Sequence, residues 1–180
     1  MNNDKKLKYW DECVKFHGHE CPGLAIGYRA ALYASDLFSK ERSKDEEFVC
    51  VAENDACGID AIQVILGCSA GKGNLLFHIT GKSAYSFYDR LTGKSFRLVL
   101  KPGLVAGKDK EEIINFYKDI PIEEMFDIKK VNIELPVPAK IFNSYKCDNC
   151  GEITGEKWIH FENGKKLCPD CYRKYDRFNI

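Results

Sequence analysis

The stretch Phe16-His17-Gly18-His19-Glu20-Cys21-Pro22-Gly23-Leu24-Ala25-Ile26-Gly27-Tyr28-Arg29 sets two histidines and a cysteine at alternate positions and then opens a helix at once. In an extended segment residues i, i+2 and i+4 point to one side, so the spacing predicts that His17, His19 and Cys21 face a common point. Imidazole and thiolate are the donors that zinc and its neighbours take. Pro22 suits the first helical position, where no backbone N–H is needed. That leaves Cys21 near the N-cap, where the helix dipole favours a thiolate. Leu24, Tyr28, Ala31, Leu32, Ser35 and Phe38 then repeat at helical spacing, so a helix is expected from Pro22 to about Ser39. The small residues Ala25, Gly27, Ala30, Ala31 and Ala34 would let it pack closely on a sheet. Arg29 is either a solvated charge or an arm that reaches back towards an anionic ligand.

Upstream, Lys5 to Phe16 reads as a short amphipathic helix with Leu7, Trp10, Val14 and Cys13 on its inner side. Downstream, Ser39 to Glu47 is a polar loop, and Phe48 to Ala52 a short buried strand in which Cys50 is core. Ile59, Ile62 and Leu66 share one helical face, so a second helix should begin near Cys57 and stop at Gly67. Cys57 repeats the first arrangement, a cysteine where a helix starts. Cys68 lies about 15 Å further along by the helical rise, and joins the same point only if the turn after it folds back. His19, nearest to Cys21, is the first choice of imidazole ligand, with His17 as a second ligand or an acid/base. Asp60 is the other acid/base candidate. Gly71-Lys72-Gly73 lacks the hydroxyl residue and glycine spacing of a P-loop; it is a plain tight turn or a backbone nest for an anion.

Leu75 to Thr80, Ala84 to Asp89 and Ser95 to Leu100 read as three strands joined by Gly81-Lys82 and Thr92-Gly93-Lys94, which predicts consecutive antiparallel pairing. Asp109 to Tyr117 is a helix, Pro121 to Phe126 a helical turn, and Val131 to Ala139 extended chain. The fold class is therefore α+β: helices on a small mixed sheet over residues 1–140, followed by a separate module over 141–180. In that module Cys147-x-x-Cys150 and Cys168-x-x-Cys171 have the spacing of a four-cysteine zinc site, and Asn163-Gly164 marks a hairpin turn. Four thiolates on a structural zinc would supply the stability that so small a module cannot draw from a core.

With 180 residues, 44% of them apolar, the chain is long enough to bury one substantial core. The 27 basic and 27 acidic residues cancel, which speaks against a nucleic-acid or anionic-membrane partner. Nine cysteines, four in paired C-x-x-C spacing, fit metal ligation in a reducing cytoplasm better than a disulfide framework. The polar start, Met1 to Lys8, shows no apolar core of a signal peptide, and no run is long enough to span a membrane.

These residues resemble the FmdE family, named for formylmethanofuran dehydrogenase. The likeness rests on Phe16 to Gly23 with Gly27 and Arg29, on Cys57-Gly58-Ile59-Asp60-Ala61-Ile62-Gln63, and on Gly67-Cys68-Ser69-Ala70-Gly71-Lys72-Gly73-Asn74-Leu75. It continues in Gly81 to Arg97, and the C-terminal zinc ribbon is similar to one that many members carry. Ser69 stands where the family has threonine, which keeps the hydroxyl, and Leu104 to Asn143 match no motif of the family. The resemblance implies an α+β fold of helices on one face of a mixed sheet. It also implies association with a complex that interconverts carbon dioxide and methanofuran with formylmethanofuran at a molybdenum or tungsten pterin centre. No residues here form a recognisable pterin or iron–sulfur site. The expected function is thus a metal-binding accessory or subunit-like protein of one-carbon redox metabolism. His17, His19, Cys21, Cys57 and Cys68 supply three or four ligands to a zinc or other transition metal. The expected partners are the other components of the dehydrogenase or another redox complex, and a homodimer is left open. A stand-alone metal-dependent enzyme with an open coordination position, or a regulator acting through the ribbon, are the alternatives.

Overall fold

The computed structural model describes residues 3–39, 42–175 and 177, and the chain divides into two compact units, Met1–Ala139 and Lys140–Ile180. In the first unit, α1 (Asn3–His17) and α2 (Pro22–Phe38) precede strand β1 (Phe48–Ala52) and α3 (Gly58–Leu66). Strands β2 (Leu75–Phe77), β3 (Ala84–Asp89) and β4 (Ser95–Leu100) follow, then α4 (Lys110–Asp119), the single turn α5 (Ile122–Met125) and β5 (Phe126–Lys129). The sheet order is β2-β1-β3-β4-β5.

Consecutive antiparallel pairing holds for β3 with β4 but not for β2 with β3. Strand β2 instead runs parallel to β1, with Leu75 opposite Cys50, and β1 separates it from β3. The reason lies in the turn before it. Asn74 is wholly buried, donates from its amide to the Phe48 carbonyl at 2.8 Å, and accepts the Ser69 N–H at 2.9 Å. These bonds fix the start of β2 beside the start of β1, and the strand is spent after three residues. The sheet gains β5, which pairs antiparallel with β4 where the sequence pattern shows only the end of a helical turn.

Alternation along β1 and β3 sorts the core. Phe48, Cys50, Ala52, Tyr85 and Phe87 face the helices, together with Phe96 and Leu98 of β4. Val49, Val51 and Tyr88 form a smaller cluster with Leu76, Val131 and Ile133. The Glu53 carboxylate is 1% exposed and receives both Nε (2.5 Å) and a terminal nitrogen (2.9 Å) of Arg97, with the Thr80 hydroxyl at 3.0 Å.

Helices α2 and α3 are locked at glycine. An ideal Cβ on Gly27 of α2 would lie 2.0 Å from the carbonyl oxygen of Gly58, the first residue of α3, so the two backbones touch where no side chain could fit. Two arginines close helix ends. Arg29 donates to the carbonyls of Lys118 and Ile120 at the end of α4, and Arg42 to those of Gln63 and Val64 at the end of α3. Arg29 is thereby neither solvated nor free for a ligand: its guanidinium completes carbonyls that the helix leaves open.

The second unit holds two hairpins, β6 (Ser144–Lys146) with β7 (Ile153–Gly155) and β8 (His160–Glu162) with β9 (Lys165–Leu167). The second turns at Asn163 and Gly164, both with positive φ, as a two-residue primed turn requires. No helix among the described residues is long and apolar enough to cross a membrane.

Candidate metal centres

The extended segment that would put His17, His19 and Cys21 on one side does not form. Helix α1 runs through His17, Gly18 turns the chain at φ +93°, and Cys21 caps α2 from extended backbone. His17 therefore reaches the cap from the end of one helix, while His19 sits outside, exposed, its ring 4.5 Å from that of His17. The close approach of Gly27 and Gly58 sets the start of α3 against α2, and the Cβ a residue at position 23 would carry falls 3.2 Å from the Cβ of Cys57. Glycine at 23 keeps that space open.

Among the described residues, two groups of histidine, cysteine or carboxylate donors lie within 4.8 Å of one another: His17, Cys21 and Cys57, and Cys147, Cys150, Cys168 and Cys171. The first combines one imidazole and two thiols from three separate elements. The Leu24 amide donates to Cys21 Sγ at 3.3 Å, and His17 Nε2 lies 3.7 Å from the same sulfur. On the far side of the ring, Nδ1 meets Asp60 Oδ2 at 2.7 Å, and the other Asp60 oxygen accepts from Gln63 Nε2 at 3.1 Å. A carboxylate on Nδ1 fixes the ring and leaves Nε2 free to ligate. Burial, and the hydrogen bond with Cys21, raise the Cys57 thiol above its ordinary value.

Asp60 thus backs His17 from behind rather than facing the sulfurs. Sequence reasoning misses Gln63, although its place three residues after Asp60 on one helix face is the available signal. Cys68 lies elsewhere: wholly buried, 3.8 Å from the Phe48 carbonyl, its thiol pushed up to about 12 by burial. Cys13 is likewise wholly buried and pushed up to about 12 by burial. The Gly71-Lys72-Gly73 turn, a candidate anion nest, has its lysine engaged: Nζ donates to the carbonyls of Ser43 at 3.0 Å and Asp45 at 3.1 Å. Lys72 straps the loop before β1 to the turn before β2.

In the ribbon, Cys147 and Cys150 flank a knuckle that closes at Gly151, whose N–H returns to the Cys147 carbonyl at 3.0 Å with φ +79°. Amide N–H groups of Cys150 and Cys168 hold the Cys147 thiol down to about 6. For Cys150 the Glu152 amide pulls the thiol down, but burial and hydrogen bonds shared with the other three sulfurs outweigh it and carry it to about 12. One sulfur is set up as a thiolate and its neighbours share protons with it, which suits a site that gives up protons to a cation. Cys150 and Cys168 are 3.8 Å apart at their sulfurs.

A model of the family described as FmdE, molybdenum formylmethanofuran dehydrogenase operon, matches residues 16–127. A protein of Archaeoglobus fulgidus described as a probable S-adenosyl-L-methionine-binding protein is 26% identical over 171 residues, covering 77% of this chain and 46% of that protein. The chain thus spans about half the length of this curated relative. The crystal structure of a tungsten formylmethanofuran dehydrogenase FmdE-like protein from Syntrophus aciditrophicus superposes with a TM-score of 0.62 at 23% identity, over 92% of this chain and 91% of that one. That likeness is one of fold.

Proposed function

Because the chain belongs to the FmdE family, we propose that it is a two-metal protein serving formylmethanofuran and carbon dioxide redox chemistry as an accessory or subunit-like component. Its partners in this reading are the other components of the dehydrogenase or another redox complex of the cytoplasm. The observation that carries the reading is the convergence of His17, Cys21 and Cys57 within 4.8 Å, from the end of one helix and the starts of two others. One imidazole and two thiolates form a donor set suited to zinc or a similar transition metal, with a coordination position left over. A metal bound there supplies Lewis acidity at that position. The chain's own part is to present the donors. Asp60 holds Nδ1 of His17 so that Nε2 faces the sulfurs, and the Leu24 amide steadies the Cys21 thiolate at the helix cap. Cys21 and Cys57 shed their protons when they ligate. The spare position also supports a second reading, a metal-dependent enzyme in its own right, in which His17 and Asp60 hold the proton near that position. In the ribbon, Cys147, Cys150, Cys168 and Cys171 hold a structural zinc.

Metal analysis of protein purified without added metal tests the first site. Two ions per chain are expected, falling to one in Cys21→Ala or Cys57→Ala. Asp60→Asn should keep the second ion but bind it about 10–100-fold more weakly, as loss of a carboxylate behind a ligating histidine does. An unchanged metal count in His17→Ala, Cys21→Ala and Cys57→Ala together overturns the assignment.

The ribbon gives a separate result. Cys168→Ser should release one ion and expose residues 140–180 to protease, while the thermal transition of residues 1–139 stays in place. Loss of that transition would show that the first unit depends on the second for its fold.

A further inference from the structure

The Cys21–Cys57 pair has a second chemistry that ligation leaves unused. Both sulfurs fall within the 4.8 Å cluster, and each belongs to a residue that caps a helix, Cys21 for α2 and Cys57 for α3. Gly23 is what lets them approach: a Cβ there would lie 3.2 Å from Cys57 Cβ, 3.7 Å from Cys57 Sγ and 4.0 Å from Cys21 Sγ. His17 Nε2 stands 3.7 Å from Cys21 Sγ, with Asp60 on its other nitrogen. Cys21 is only 8% exposed and Cys57 half-buried, so the approach admits a small linear molecule and not the strand of a folded protein. The remaining cysteines of this unit differ. Cys13, Cys50 and Cys68 are wholly buried, which leaves Cys21 and Cys57 as its reachable sulfurs.

We propose that, with the metal absent, Cys21 and Cys57 act as a dithiol pair that reduces a low-molecular-weight disulfide and closes into an intramolecular disulfide. Cys21 gives its proton to His17, and its sulfur bonds to one sulfur of the substrate. The substrate S–S bond breaks, and the departing thiolate takes that proton from His17. Cys57 then passes its proton to His17 and attacks Cys21 Sγ. The mixed disulfide breaks, and the second thiolate leaves with the proton. Two protein thiols are oxidised by two electrons and one small disulfide is reduced to two thiols. The proposal uses two sulfurs of the metal-binding reading but needs no bound metal. Ligation and disulfide formation exclude each other, so the redox poise of small thiols would set how much chain can hold the first metal.

The full-length protein, stripped with chelator and incubated with oxidised glutathione, tests this by peptide mapping of its disulfides. The expected result is a Cys21–Cys57 cross-linked peptide, with two glutathiones released for each cross-link. In Cys57→Ser the reaction should stop at a glutathione adduct on Cys21. Absence of the Cys21–Cys57 peptide while ribbon cysteines oxidise would overturn the proposal, as would an adduct that in Cys57→Ser avoids Cys21. Zinc added first separates the two readings. Loss of the cross-link supports both. A cross-link that forms regardless of zinc supports the exchange and counts against metal binding at this site.

Discussion

Gly27→Ala is expected to destabilise the first unit by about 3 kcal/mol or more, the upper end of what overpacking costs, because the clash is with backbone and no rotamer relieves it. The added methyl would meet the Gly58 carbonyl oxygen at 2.0 Å and its carbonyl carbon at 2.4 Å. Relief requires α2 and α3 to move apart, and their separation also parts Cys21 from Cys57. The variant should therefore lose thermal stability and the first-site metal together, while the ribbon keeps its ion. Gly81→Ala is the control: its φ is positive, but a Cβ there has nothing within 4 Å. Its cost should stay within the conformational penalty, about 1–2 kcal/mol, and leave the metal in place. A Gly27→Ala protein that melts like the parent would show that the helices do not cross as closely as described.

Arg97→Ala should cost about 3–5 kcal/mol, because it strands the Glu53 carboxylate without its two-pronged partner. Replacing both residues by apolar groups of similar size should recover much of the loss, since the pair itself is expensive to bury. The pH dependence has a definite sign. Arg97 holds the Glu53 carboxyl below its ordinary value of 4.5. The folded value is thus depressed, so this contribution is fully present above the unfolded value and is lost as pH falls through the folded one. In Arg97→Ala burial dominates and favours the protonated acid, so the deficit should shrink as pH falls. Urea midpoints of parent and variant between neutral pH and about pH 4 measure this. A deficit below about 1 kcal/mol at neutral pH, or one that grows on acidification, would contradict the geometry.

Helix starts and the pairing of Cys21 with Cys57 are legible in the sequence because their signals are local: proline after cysteine, glycine after the last apolar turn, small residues along one face. The place of β2 is not. A two-residue Gly81-Lys82 link looks like a hairpin turn, and the bonds that send β2 to the other side of β1 come from the buried side chain of Asn74, which no periodicity reveals. Helix α1 runs one residue past the predicted Phe16, and that one residue matters. With His17 inside the helix and Gly18 turning after it, His17 rather than His19 stands beside Cys21 Sγ. Strand β5 is hidden because Asp127 and Lys129 dilute its apolar pattern, and only pairing with β4 makes it a strand. The long reach of Arg29 to Ile120, 91 residues away, has no sequence signature at all.

The sheet ends on its shortest strands, β2 with three residues and β5 with four. An outer strand is a template on which a second chain can lengthen the ladder, and its danger grows with the run of unpaired backbone it offers. Here the run is brief on both sides, and β5 carries Asp127 and Lys129, themselves 3.6 Å apart. The longer, wholly buried strands β1 and β3 are both interior. Association of two copies by strand addition is therefore disfavoured at either margin, which protects the chain against fibrous growth while it is being made.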